Sequence, residues 1–157
     1  MKIYIWTVGR THESYVKEGI DIFTKRISHY YNVEWKLIRP VKNASVLSKD
    51  DLKNSEAEII LSLLKPDDIL IVLEEKGQQF TSEQLAKLIQ LNANKSTKTL
   101  IFLIGGAFGV DEKIIIRSNY IWSLSQLVFP HQIVRLILAE QIYRACTIIR
   151  NEKYHHS

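Results

Sequence analysis

The chain has 157 residues, of which 46% are hydrophobic and 24% charged, with a formal net charge of +4. That is the size and balance of one globular domain whose core needs neither disulfides nor a structural metal. One cysteine, Cys146, excludes an internal disulfide framework and fits a reducing compartment, and no run approaches the ~20 apolar residues of a membrane span.

In chain order, Lys2 to Val8 reads as a strand closed by Gly9, although MKIYIWTVG is too short for the apolar region of a signal peptide. A cytoplasmic protein is therefore expected. Val16, Ile20, Phe23, Ile27 and Tyr30 recur at helical spacing. Val33 to Ile38 alternates as a strand with one wet face, and Pro40 to Ser48 is a polar loop. A helix with Leu52, Ile59, Ile60, Leu63 and Leu64 as core positions ends before Pro66. Ile69 to Leu73 is a continuous apolar run that suits a central parallel strand, and Gly77 marks the next turn. Thr81 with Gln84 forms the pattern of a capping box, opening a helix through about Leu91. After a polar loop, Asn92 to Thr97, comes a second buried strand, Leu100 to Ile104. Asp111 caps a short helix to Ser118, Tyr120 to Ser125 is a fifth strand, and Pro130 sits in the first turn of a long apolar helix. Alternation of this kind predicts an α/β fold, a mainly parallel sheet with helices on both faces.

Charge is unevenly placed. Residues 1–42 hold eight Lys/Arg against four Asp/Glu, while the rest holds thirteen of each. Such a region suits phosphates, and equally a solvated surface. Gly105 and Gly106 end a strand, with Gly109 close behind. No G-x-G-x-x-G and no Walker loop is present, so the choice lies between a tight turn and a ligand crevice at a strand's carboxyl end. If the crevice is there, a β-branched residue at Gly105 is expected to disturb the ligand more than the fold. The stretch Leu124 to Phe129 is an apolar loop able to hold an adenine through backbone groups, or a buried crossover. His131 suits a cap or surface contact better than a base. Arg135, Glu140 and Arg144 stand in an apolar field and must pair, reach water or face a partner. No Cys/His set has metal-ligand spacing, so no metal is expected.

Read together, these pieces resemble one family. Ile104-Gly105-Gly106 comes first, followed by Leu124-Ser125-x-Leu127-x-Phe129-Pro130-His131-Gln132. Next comes Arg135-x-x-Leu138-x-Glu140-Gln141-x-Tyr143-Arg144-Ala145, and then a terminal Tyr154-His155. The order is similar to that of the RlmH family, small SPOUT-class methyltransferases of 23S ribosomal RNA. Element order and length agree over the whole chain, which then reads as a single SPOUT domain.

The resemblance implies a C-terminal trefoil knot, a homodimer, and S-adenosyl-L-methionine held in the knot. It implies N3 methylation of a pseudouridine in 23S rRNA within the large subunit or 70S ribosome, with no membrane and no metal. Matching cofactor positions are Leu73, Gly105, Gly106, Leu124, Ser125, Gln126, Leu127, Val128 and Phe129. The expected catalytic group is His155 as base, with Tyr154, Arg144 and Arg135 orienting the base or a phosphate. Rival readings are a non-enzymatic ribosome assembly factor and a SPOUT enzyme of another RNA. A titration with S-adenosylmethionine separates the first rival from the enzyme.

Overall fold

Each apolar run of strand length pairs with another of its kind. In the computed structural model, which describes residues 1–154, β1 (Lys2–Val8), β2 (Asn32–Ile38), β3 (Ile69–Gln79), β4 (Thr99–Ile104) and β5 (Tyr120–Ser123) form one sheet. The order is β2-β1-β4-β3-β5, and every pairing is parallel. A parallel sheet must be covered on both faces, and here it is. Along β4, Leu100, Phe102 and Ile104 face one core while Ile101 and Leu103 face the other.

The first core is closed by α1 (Ser14–Ile27), α3 (Ser82–Asn94) and α5 (His131–Ile149), and the second by α2 (Lys49–Leu63) and α4 (Glu112–Arg117). Leu138, Ile142 and Ala145 of α5 lie in the first core, and α5 packs between α1 and α3. Every residue of α5 is buried or half-buried, although the helix is apolar nearly all round. Its own neighbours therefore explain much of that composition. Cys146 lies in this packing, 1% exposed, and burial pushes its thiol pKa up to about 12.

Three helices are capped at their N-termini by side chains, two of them as expected. The Ser48 hydroxyl accepts from Asp51 N–H at 3.1 Å, Thr81 and Gln84 make both bonds of a capping box, and Asp111 accepts from Lys113 N–H at 2.9 Å. Pro130 is the residue before α5 and not inside it, with φ −55°. Helix α3 runs to Asn94, past Leu91, because buried Asn92 donates its side-chain amide to the Leu88 carbonyl at 2.9 Å. At the other end of the sheet, β5 stops at Ser123, whose hydroxyl donates to the Ser125 carbonyl at 3.0 Å.

Gly77 is the main departure from expectation. It is no turn between elements but part of β3, within a bulge. Leu73 and Gln78 both pair with Trp122, so residues 74–77 are extra on their side of the ladder. A Cβ on Gly77 would stand 2.8 Å from backbone atoms of Ile121 and Trp122. Backbone cannot yield as a side-chain tip can. Gly77→Ala should therefore cost about 1–3 kcal/mol of stability, the range for overpacking. Urea denaturation checks it, and an unchanged midpoint would contradict the bulge geometry.

Candidate active site

The connections β3–β4 and β4–β5 run in opposite directions across the sheet. Such a reversal opens a crevice at the carboxyl ends of the strands. A cavity of about 380 Å³ lies there. Its walls are the end of β3 with the first bulge residues, the 104–109 turn after β4, the β5–α5 connection, and the first turn of α5. Leu73, Gly105, Gly106, Leu124, Ser125, Leu127, Val128 and Phe129 all line it, and Gln126 does not.

One hydrogen bond closes the arrangement. The His131 imidazole N–H donates from Nε2 to the Gly105 carbonyl at 2.6 Å. Burial lowers the His131 pKa from 6.5, opposed by the carbonyl and assisted by Arg135, so the ring is neutral at pH 7. The neutral ring must then carry its proton on Nε2. His131 is neither a cap nor a surface contact, since it clasps the glycine turn to α5.

Within the turn, Gly109 adopts φ +81° and its N–H donates to the Gly106 carbonyl at 3.2 Å. A Cβ on Gly105 would lie 2.7 Å from Val110 Cγ1 and 3.1 Å from Gly109 backbone. One on Gly106 would lie 2.6 Å from a carboxylate oxygen of Glu56, a buried side chain of α2 whose pKa burial raises. Gly105 is thus constrained by the turn's own packing, while Gly106 faces only the carboxylate end of the Glu56 side chain. The expectation that a side chain at Gly105 would disturb a ligand more than the fold is corrected, because its Cβ direction meets protein.

Of the expected catalytic residues, Arg135, Arg144 and Tyr154 are absent from the cavity wall. Arg135 is 1% exposed, and its guanidinium donates to the Arg10 carbonyl at 2.9 Å and to His12 Nδ1 at 3.3 Å. It fastens the loop after β1 to α5 and is absent from the cavity wall. Arg144 pairs with Glu140 through Nε at 3.0 Å and Nη2 at 2.5 Å. The Tyr154 hydroxyl donates to the same Glu140 oxygen at 3.1 Å, and its ring lies 4.7 Å from that of Tyr143. Glu140 and Arg144 stand six and ten residues beyond Val134, the last cavity residue of α5, or about 9 and 15 Å along the helix. The tail is tied there from a second side, since the Tyr30 hydroxyl donates to Glu152 at 2.6 Å. His155 lies outside the described residues.

A family model described as a predicted SPOUT methyltransferase matches residues 1–155. The chain belongs to the SPOUT methyltransferase family. Among SPOUT relatives, "Ribosomal RNA large subunit methyltransferase H" of Cytophaga hutchinsonii is 46% identical over 156 residues, covering 99% of this chain and all of that protein. The proteins of the same name from Parabacteroides distasonis and Geotalea daltonii are 40% and 37% identical, again over 99% of this chain and 99% and 100% of their own length. The all-parallel α/β sheet agrees with SPOUT membership.

Several wall residues escaped the sequence reading. Glu74 and Glu75 were hidden by the assumption that β3 ended at Leu73. Phe108, Trp122 and Val134 read as ordinary apolar positions. The Leu124–Phe129 loop is no buried crossover, because Leu127 and Val128 are 70% and 75% exposed.

Gly105→Ala should lower the stability of the ligand-free protein by about 1–3 kcal/mol through overpacking. Adding Val110→Ala should restore part of the loss. Denaturant titration of the two variants decides it, and a fully stable Gly105→Ala protein would mean that the turn yields freely.

Proposed function

We propose that this protein transfers a methyl group from S-adenosyl-L-methionine to N3 of a pseudouridine in 23S ribosomal RNA. It acts as a homodimer on the large subunit or 70S ribosome, in the cytoplasm. The reading is carried by a coincidence. Full-length relatives are named for large-subunit rRNA methylation, and the glycine pair with Leu124, Ser125, Leu127, Phe129 and His131, which carry part of the resemblance, line one cavity at the sheet's carboxyl edge.

The lining suits the cofactor. The cavity volume of about 380 Å³ falls in the range of small-molecule sites. Leu73, Leu124, Leu127, Val128 and Phe129 offer apolar walls for an adenine, while the glycine turn offers bare backbone. The indole N–H of Trp122, buried and on the wall, has no hydrogen-bond partner among the described residues. Bound there, the cofactor supplies an electrophilic methyl group on a sulfonium. The protein's part is to hold the acceptor nitrogen in line with that methyl and to exclude water.

The acceptor is an imide N–H, mostly protonated at neutral pH, so a base must take its proton. His155 is assigned that task, with Tyr154 to stack on the base and Arg144 to orient base or phosphate. Within one chain neither Tyr154 nor Arg144 lines the cavity. A two-fold dimer resolves this, because in an isologous pair one chain's tail can lie over the other's cavity. Exposed Leu127 and Val128 at the rim supply apolar surface for such a contact. A trefoil-knotted path for the C-terminal segment belongs to the same reading.

Mass spectrometry of ribosomal RNA from cells lacking the protein should show one pseudouridine without its methyl group. An unchanged modification pattern would refute the proposed substrate. Removal of residues 154–157 should abolish methyl transfer to intact ribosomes while leaving cofactor affinity within about twofold, since chain ends contribute little packing. His155→Ala should lose most activity at low pH and regain part of it as the imide ionises by itself. A tail-less protein of full activity would remove both assigned roles.

A further inference from the structure

The cavity wall carries charge of one sign. Its formally charged side chains are Glu74 and Glu75, no Lys or Arg lines it, and His131 is neutral at pH 7. Glu74 is half-buried and Glu75 exposed. None of the ion pairs among the described residues involves either.

The bulge in β3 explains how Glu74 comes to be there. Leu73 and Gln78 share Trp122 as partner, so Glu74 begins a four-residue excursion at the carboxyl edge. Bulges re-aim side chains in this way. One carboxylate oxygen of Glu74 lies 3.4 Å from where a side chain on Gly109 would begin. The carboxylate thus reaches from β3 to the turn after β4, beside the opening they frame. Gly77 permits the excursion and Gly109, at φ +81°, leaves room for its end.

We infer that Glu74 makes the cavity selective for a cationic ligand, holding the methyl-bearing sulfonium cofactor in preference to its uncharged-sulfur product, with Glu75 adding a weaker field from the mouth. The inference rests on the cofactor reading given above. Transfer breaks the S–CH3 bond, leaving its electron pair on sulfur, and forms an N–CH3 bond at N3, whose proton passes to the base assigned above. The sulfonium becomes a neutral thioether, and the amino and carboxylate groups of the ligand are unchanged. A carboxylate near sulfur therefore attracts the ligand before the reaction and has little hold on it afterwards. The site favours exchange of product for fresh cofactor without any movement of the chain.

Calorimetric titration of wild type and Glu74→Gln with three ligands tests this. The ligands are S-adenosylmethionine, S-adenosylhomocysteine, and sinefungin, in which an amine replaces the methylated sulfonium. Glu74→Gln should weaken S-adenosylmethionine and sinefungin about tenfold and S-adenosylhomocysteine less than about twofold, as expected for losing one screened charge pair at a few ångströms. Glu74→Asp, which keeps the charge, should retain the preference for the cations. Glu75→Gln should change the ratio less than Glu74→Gln does. Equal weakening of all three ligands by Glu74→Gln, or no weakening, overturns the charge selection while leaving the cofactor reading intact. A folded wild-type protein that binds none of the three overturns both.

Discussion

The hydrogen bond from His131 to the Gly105 carbonyl is the contact on which the site depends. It joins the end of a central strand to the first turn of a helix that closes one whole core. The glycine turn and the first turn of α5 on the cavity wall are held together by that bond. The bond uses the proton on Nε2, and burial keeps the ring neutral, so the clasp survives across the neutral pH range without a counter-charge. Gly105 and Gly106 serve it indirectly. Their missing side chains let the turn fold tightly enough against Val110 and Glu56 to present its carbonyl to the imidazole.

The same turn shows why buried charge here needs local explanation. Glu56 stands behind Gly106, its pKa raised by burial, and Arg135 is buried under the loop after β1 with its pKa lowered by burial. Neither forms an ion pair among the described residues. Arg135 is compensated by a backbone carbonyl and an imidazole. Such groups are costly to bury.

Most of the fold was legible because the physics is local or periodic. Ile69 to Leu73 and Leu100 to Ile104 are apolar runs bounded by polar residues, and runs of that length have few other fates in a parallel sheet. Thr81 with Gln84 announces its helix through two bonds between residues three apart. The cavity was legible in outline because glycines at a strand end allow close approach and a loop with exposed apolar residues needs something to cover it. The bulge was not legible. Gly77 reads as a turn until its true neighbour, Trp122, is known, and nothing in the intervening chain reveals that pairing. Glu74 was lost with it. The positions of Arg144 and Tyr154 were equally hidden, since spacing along α5 gives the Glu140–Arg144 pair but neither its distance from the cavity nor the place of Tyr154 beyond the helix.

The packing of Cys146 gives the molecule an internal reporter. Its thiol is 1% exposed, and with a pKa pushed to about 12 it holds almost no thiolate at neutral pH. An alkylating reagent can reach it only when α5 lifts from its neighbours. That helix also carries His131 at its other end. The rate at which this one native thiol is modified therefore times the opening of the element that holds the cavity together, with no label to introduce.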